Sequence, residues 1–115
     1  MNESNIIPIN LQEKIAEDLE AQAKKAADFL KAIAHEGRLM ILCHLVSGER
    51  SVTELENLLD SRQAAVSQQL ARLRLEGLVE SRRDGKAIYY TLADERVVGL
   101  ISSLHGMFCS ATIEK

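Results

Sequence analysis

A mainly helical chain carrying one small β-hairpin is predicted by three observations, all within residues 51–92 (SVTELENLLDSRQAAVSQQLARLRLEGLVESRRDGKAIYYTL). The stretch opens on Ser51 with Glu54 three residues later, a capping box in which each side chain can satisfy the other's backbone N–H. Leu55, Leu58 and Leu59 then give a short helix one apolar side. Asp60 and Ser61 are placed to stop it and to cap a second helix reaching about Glu76, with Val66, Leu70, Leu73 and Leu75 turned toward a core. Gly77 is suited to close that helix because glycine tolerates positive φ. Two strand-like runs follow, 78–83 and 87–92, joined through Asp84-Gly85 as a two-residue hairpin signal. Helix, tight turn, helix, hairpin is the order of a winged helix-turn-helix, whose second helix can enter a major groove while the hairpin rests beside it.

The flanking elements follow from periodicity. Residues 1–10, with the only proline (Pro8), are expected to form a flexible arm, and residues 11–115 one domain. From about 11 to 33, Ile15, Leu19, Ala23, Ala26, Leu30 and Ile33 recur at helical spacing with charges between them. Alanines 21, 23, 26 and 27 thin that surface, so a second subunit could approach it closely; packing on its own domain is the plainer alternative. The segment AHEGR is expected to break the pattern at Gly37. A short helix over about 38–46 then carries Leu39, Leu42, Leu45 and Val46, with Cys43 at the border of the stripe. Ser47-Gly48 ends it. Asp94 is a plausible N-cap for a last helix with Val97, Leu100, Ile101, Leu104 and Phe108 on one side and Cys109 at its edge. The first and last helices are therefore expected to pair into a homodimer interface.

Composition bounds the function. With 46% hydrophobic residues, no Trp and 3% aromatics, the core must be aliphatic. A chain of 115 residues with an amphipathic helix at each end could complete its burial by dimerising. No apolar run approaches the roughly 18 residues of a membrane span, and there is no signal-peptide pattern, so a cytoplasmic protein without membrane association is expected. Two distant cysteines form neither a disulfide framework nor a C-x-x-C motif. No glycine-rich phosphate loop, cofactor motif or nucleophile arrangement supports an enzyme. Net charge is −3, yet between Arg62 and Lys86 six basic residues face three acids, a local excess on an otherwise acidic body.

That excess falls where DNA would lie. On the second helix of the motif, Gln63, Ser67, Gln68 and Arg72 lie on or near one exposed side. Glutamine can pair with adenine, arginine with guanine or phosphate, and serine with a phosphate or base edge. Arg82, Arg83 and Lys86 flank the hairpin turn, where a wing meets backbone or minor groove. A winged module that binds protein instead of DNA is the competing class.

In order and wording, IAHEGRLMIL, SVTELENLL, AAVSQQLARLRLEGLVESRRDGKAIYYTL and the closing helix resemble the ArsR/SmtB family of repressors, over about residues 23–113. VSQQLARLRLEGLVESRRDGK is the most specific part. The resemblance implies a homodimer with a five-helix core, first and last helices at the interface, a near-palindromic double-stranded operator, and loss of DNA binding when an effector arrives. One local departure is Glu36-Gly37, where family members commonly carry a proline after the histidine. The family's usual metal boxes are broken: Glu56, Asn57 and Leu58 stand where arsenic or cadmium sensors carry thiols, and Asp94-Glu95-Arg96 lacks the first histidine of the zinc sensors. A rearranged metal or metalloid site using two thiolates and His44 or His105 stays open.

Cys43 and Cys109 resemble the dithiol of the sulfane-sulfur-responsive subgroup of that family. By that resemblance persulfides link the two thiols through inserted sulfur, and DNA is released; a thiol-based peroxide sensor is an alternative. The plainer reading makes both cysteines small core hydrophobes. A sensing thiol must react as thiolate. His44 adjoins Cys43 and His105 precedes Cys109 by one helical turn, so either could assist if cationic. Because Cys109 sits near a helix C-terminus, whose dipole disfavours an anion, Cys43 is expected to attack first.

Overall fold

The computed structural model describes residues 8–59 and 63–113, the side chains of 63–64 and 110–113 excepted. Its elements run α1 (Ile9–Ile33), α2 (Glu36–Leu45), β1 (Arg50–Ser51), α3 (Val52–Leu59), α4 (Gln63–Leu75), β2 (Val79–Asp84), β3 (Ala87–Leu92) and α5 (Glu95–Ile113). They divide into two units, one ending at Lys31 and the other beginning at Ala32.

The first unit is the body of α1, which starts two residues earlier than its periodicity indicates. Exposed pairs one turn apart, Lys14–Asp18 at 3.7 Å and Lys24–Asp28 at 3.0 Å, line its polar side. Its apolar stripe is uncovered in the single chain, with Ile15, Leu19 and Leu30 each more than a third exposed.

The second unit is the winged helix-turn-helix, and it holds an aliphatic core. Ile33, Ile41, Leu42, Leu45, Leu55, Val66, Leu70, Leu73, Leu78, Val79 and Val97 are all buried there. Helix α2 begins earlier than expected, because His35 rather than Gly37 marks the break. In extended conformation, with φ −152° and ψ 128°, His35 accepts the Gly37 N–H on Nδ1 at 3.0 Å, acting as the N-cap. Ile41 is buried in the core beside Leu42 and Leu45, while Leu39 is half-buried and Val46 is exposed.

The capping box of α3 forms as its sequence requires. Glu54 N–H donates to Ser51 Oγ at 3.0 Å, and Ser51 N–H donates to Glu54 Oε1 at 2.8 Å. Leu55 is fully buried, but Leu58 faces out. The stop-and-cap role assigned to Asp60 and Ser61 lies outside the described residues. Helix α4 buries Val66, Leu70 and Leu73 but leaves Leu75 83% exposed, against expectation. At about 100° per residue, Leu75 points about 140° away from Leu70 and cannot share its face. Gly77, at φ 79°, closes α4 in a Schellman motif: Leu78 N–H reaches Leu73 O at 3.0 Å and Gly77 N–H reaches Arg74 O at 3.0 Å.

The sheet has three strands in the order β1-β3-β2, all antiparallel, where sequence reasoning found only the hairpin. The register pairs Asp84 with Ala87, so the two-residue turn is Gly85-Lys86, one position later than expected, with Gly85 supplying φ 64°. Strand β1 pairs Arg50 with Tyr90 and Ser51 with Tyr89, joining the end of the segment after α2 to the wing. Arg50 also ties back to α2, its Nε donating to the His44 carbonyl at 3.4 Å. Helix α5 starts behind Asp94, whose Oδ1 accepts the Arg96 N–H at 2.9 Å and whose carboxylate also pairs with the Arg96 guanidinium.

Candidate functional site

Two surfaces of the second unit carry chemistry. The first is built on α4. The inner positions Val66, Leu70 and Leu73 fix how this helix rolls on the core, and that roll puts Gln68 and Arg72 on the opposite side, both exposed. Arg72 is drawn along the helix by Glu76, at 3.2 Å and one turn on. Ser67 lies between core and outer face. It borders a hollow of about 380 Å³ walled by the start of α3, by α4 and by β3, into which Lys86 also reaches. One predicted contact on the helix and one on the wing thus meet at a single concavity. The Gln63 side chain lies outside the described residues.

Along the wing, Arg83 and Lys86 are exposed. Arg82 is differently placed: it pairs with Glu49, whose carboxyl is held below its ordinary range chiefly by that hydrogen bond. Gln69, missed at the level of sequence, is half-buried on the flank of α4. Its Oε1 lies 3.4 Å from Arg38 Nη1 and its Nε2 lies 3.5 Å from His35 Nε2. Arg38 in turn donates through Nε to the Ala32 carbonyl at 2.6 Å. This chain of contacts joins α4 to the start of α2; its signal in the sequence was only a polar residue adjoining an apolar stripe.

The second surface is a cleft of about 720 Å³ between α2 and α5. Leu39 from α2 and Val46 at its C-cap, with Val98, Ile101, Leu104 and Phe108 from α5, make its walls aliphatic and aromatic. Cys43 and Cys109, 66 positions apart in the chain, both line it, each partly exposed. Both therefore sit at a border that is open, not inside the packed core. Of the two histidines considered as helpers, His105 lines the cleft and His44 does not. Burial among these carbon walls pushes the Cys43 thiol above its ordinary value, and the neighbouring Cys109 adds to the shift. Desolvation, which the dipole argument left out, thus opposes ionisation of Cys43. Among the described residues no three His, Cys, Asp or Glu side chains gather into a metal-binding set.

A helix-turn-helix with an exposed polar second helix beside a three-stranded wing is the architecture of winged-helix DNA-binding proteins. Residues 35–81 match the family described as bacterial regulatory protein, arsR family. The Biofilm growth-associated repressor of Agrobacterium fabrum is 44% identical over 103 residues, covering 90% of this chain and 88% of that protein. The transcriptional activator HlyU of Vibrio cholerae is 44% identical over 104 residues, covering 90% and 92%. The crystal structure of the transcriptional repressor BigR from Xylella fastidiosa superposes with a TM-score of 0.80 at 44% identity, covering 82% of this chain and 96% of that one. The chain belongs to the arsR family; its relatives are transcription regulators, not enzymes.

Proposed function

We propose that the protein is a homodimeric repressor that reads reactive sulfur through Cys43 and Cys109 and leaves its operator when the two thiols become bridged. The observation that carries this reading is the meeting of both thiols at one apolar cleft, near enough for Cys109 to act electrostatically on Cys43. The repressor direction draws support from the Biofilm growth-associated repressor, although HlyU, equally similar, is an activator. The uncovered apolar stripe of α1 and the exposed Met107 and Phe108 of α5 are the faces assigned to the second subunit. Gln63, Ser67, Gln68 and Arg72 meet the bases and phosphates of the major groove, and Arg83 and Lys86 meet the adjacent backbone.

Burial raises the Cys43 thiol above its ordinary value, and in this proposal Cys109 attacks first. Its thiolate takes the outer sulfur of a persulfide RSSH and releases RSH, leaving Cys109 as a persulfide. Attack by that group on a second RSSH expels hydrogen sulfide and leaves a trisulfide to R; Cys43 then displaces RSH. Two thiols and two RSSH thus give a trisulfide bridge, two RSH and one H₂S, with no other oxidant.

Operator release is the test, followed with persulfide, peroxide, zinc and arsenite side by side and with intact mass read on each product. Release by persulfide with a mass gain matching a sulfur-inserted bridge is expected. Cys43→Ser and Cys109→Ser proteins should bind operator and ignore persulfide, the former retaining a persulfide adduct on Cys109. Continued release from either variant, or release by zinc or arsenite alone, would overturn the dithiol reading.

A further inference from the structure

Arg82 has the sequence position of a DNA contact, yet its guanidinium is engaged within the protein. Nε donates to Glu49 Oε2 and Nη2 to Glu49 Oε1, each at 2.7 Å, a two-pronged fit of guanidinium to carboxylate. The same guanidinium lies over the Tyr89 ring, 4.6 Å from its centroid, and Tyr89 is its cross-strand neighbour. Asp84 stands 3.9 Å from Nη1. To reach a phosphate, Arg82 would have to leave two charge-assisted hydrogen bonds and a stacking contact. Arg83, the next residue, points to the other side of the strand and is exposed.

Glu49 belongs to the segment between α2 and β1, and Arg82 to the middle of β2, 33 residues later. Backbone pairing between that segment and the wing is confined to the two residues of β1. Two backbone pairs are a short hinge about which a twisted hairpin can rock, and β2 lies on the far side of β3 from β1. The Glu49–Arg82 fork crosses that distance, tying the segment before β1 to the strand farthest from it. Lysine could supply the charge but not the fork.

We propose that Glu49 and Arg82 form a latch that sets the angle of the wing, so that Arg82 acts on DNA by positioning Arg83 and Lys86 rather than by touching phosphate. The inference rests on the reading of Arg83 and Lys86 as wing contacts and is independent of what the thiols sense. Because both partners are partly exposed, the latch contributes little to global stability; its effect is on geometry.

Salt dependence separates positioning from direct phosphate binding, since removing one side chain that neutralises a phosphate lowers the slope of log affinity against log salt by about 0.9. Operator binding by full-length reduced protein is measured through a salt series for wild type, Glu49→Gln, Arg82→Ala, Arg82→Lys, the Glu49→Gln/Arg82→Ala double variant, Arg83→Ala and Arg72→Ala. Glu49→Gln and Arg82→Ala are each expected to weaken binding about fivefold, with the double variant no weaker than the worse single, as for two groups acting through one contact. Their slopes should equal wild type, Arg82→Lys should not restore affinity, and Arg83→Ala should show the reduced slope. Coincident thermal melts of Glu49→Gln and wild type exclude unfolding as the cause. A reduced slope in Arg82→Ala together with wild-type or tighter binding by Glu49→Gln overturns the latch and makes Arg82 a phosphate ligand. A silent Glu49→Gln beside a reduced slope in Arg83→Ala overturns the latch alone. Unchanged slopes in both Arg83→Ala and Arg72→Ala overturn the DNA-face reading, and the latch with it.

Discussion

Leu70→Ala and Leu75→Ala make the same chemical change five residues apart on one helix, and should have very different consequences. Leu70 is 1% exposed and Leu75 is 83% exposed. Truncating Leu70 removes three carbons from the core, about 2.4 kcal/mol at about 0.8 kcal/mol per buried methylene. The vacated space between α4 and its neighbours adds a cavity term, giving about 3–4 kcal/mol in all. That is a large part of the roughly 5–15 kcal/mol available to a small domain. Leu75 leaves no cavity, and its truncation should change stability by less than about 0.5 kcal/mol. Urea unfolding followed by circular dichroism suits a chain without tryptophan, with all variants at one protein concentration and m-values compared. Equal losses at the two positions would show that the roll of α4 on the core is wrong, and the outward placement of Gln68 and Arg72 would fall with it.

Three further outcomes are expected. Ser51→Ala should cost about 1 kcal/mol in the same urea assay by removing the α3 cap, while an unchanged midpoint would mean the capping box contributes nothing. Gly77→Ala should cost about 1–2 kcal/mol from backbone strain alone, since an added Cβ there meets open space; a neutral result would contradict the φ of 79°. Cys43 in folded Cys109→Ser protein should react with iodoacetamide more slowly than in denaturant at the same pH, because desolvation is the larger cause of its raised pKa. The folded thiol keeps its proton where the unfolded thiol has lost it. The stabilisation is therefore full below the ordinary thiol range and is lost as pH rises through it and on to the folded value. Labelling of folded Cys43 as fast as in denaturant would refute the burial argument.

What could be read from the sequence was local. The capping box needs only Ser51 and Glu54, and the closure of α4 needs only Gly77 behind a leucine-bearing turn, so both stood where they were expected. The hairpin was legible too, but its turn moved by one residue because pairing of Asp84 with Ala87 outweighs the local preference of Asp-Gly. Strand β1 was hidden because two residues carry no alternation, and its partners Tyr89 and Tyr90 are distant in sequence. The same distance concealed Glu49 behind Arg82, and Gln69 behind Arg38 and His35. The border positions of Cys43 and Cys109 followed from helical spacing. That they share a cleft did not, because α2 and α5 are brought together by the intervening winged unit.

The strand order β1-β3-β2 leaves two edges. Unpaired strand edges invite sheets from different molecules to join. Here one edge is only two residues long, and the other, VESRRD, carries four charged side chains in six positions. The charges of the strand that carries Arg82 and Arg83 thus protect the wing against edge-to-edge aggregation. Neutralising substitutions made along β2 to probe DNA contacts will also remove charges that keep the free protein from self-association, so solubility should be monitored beside affinity in every such variant.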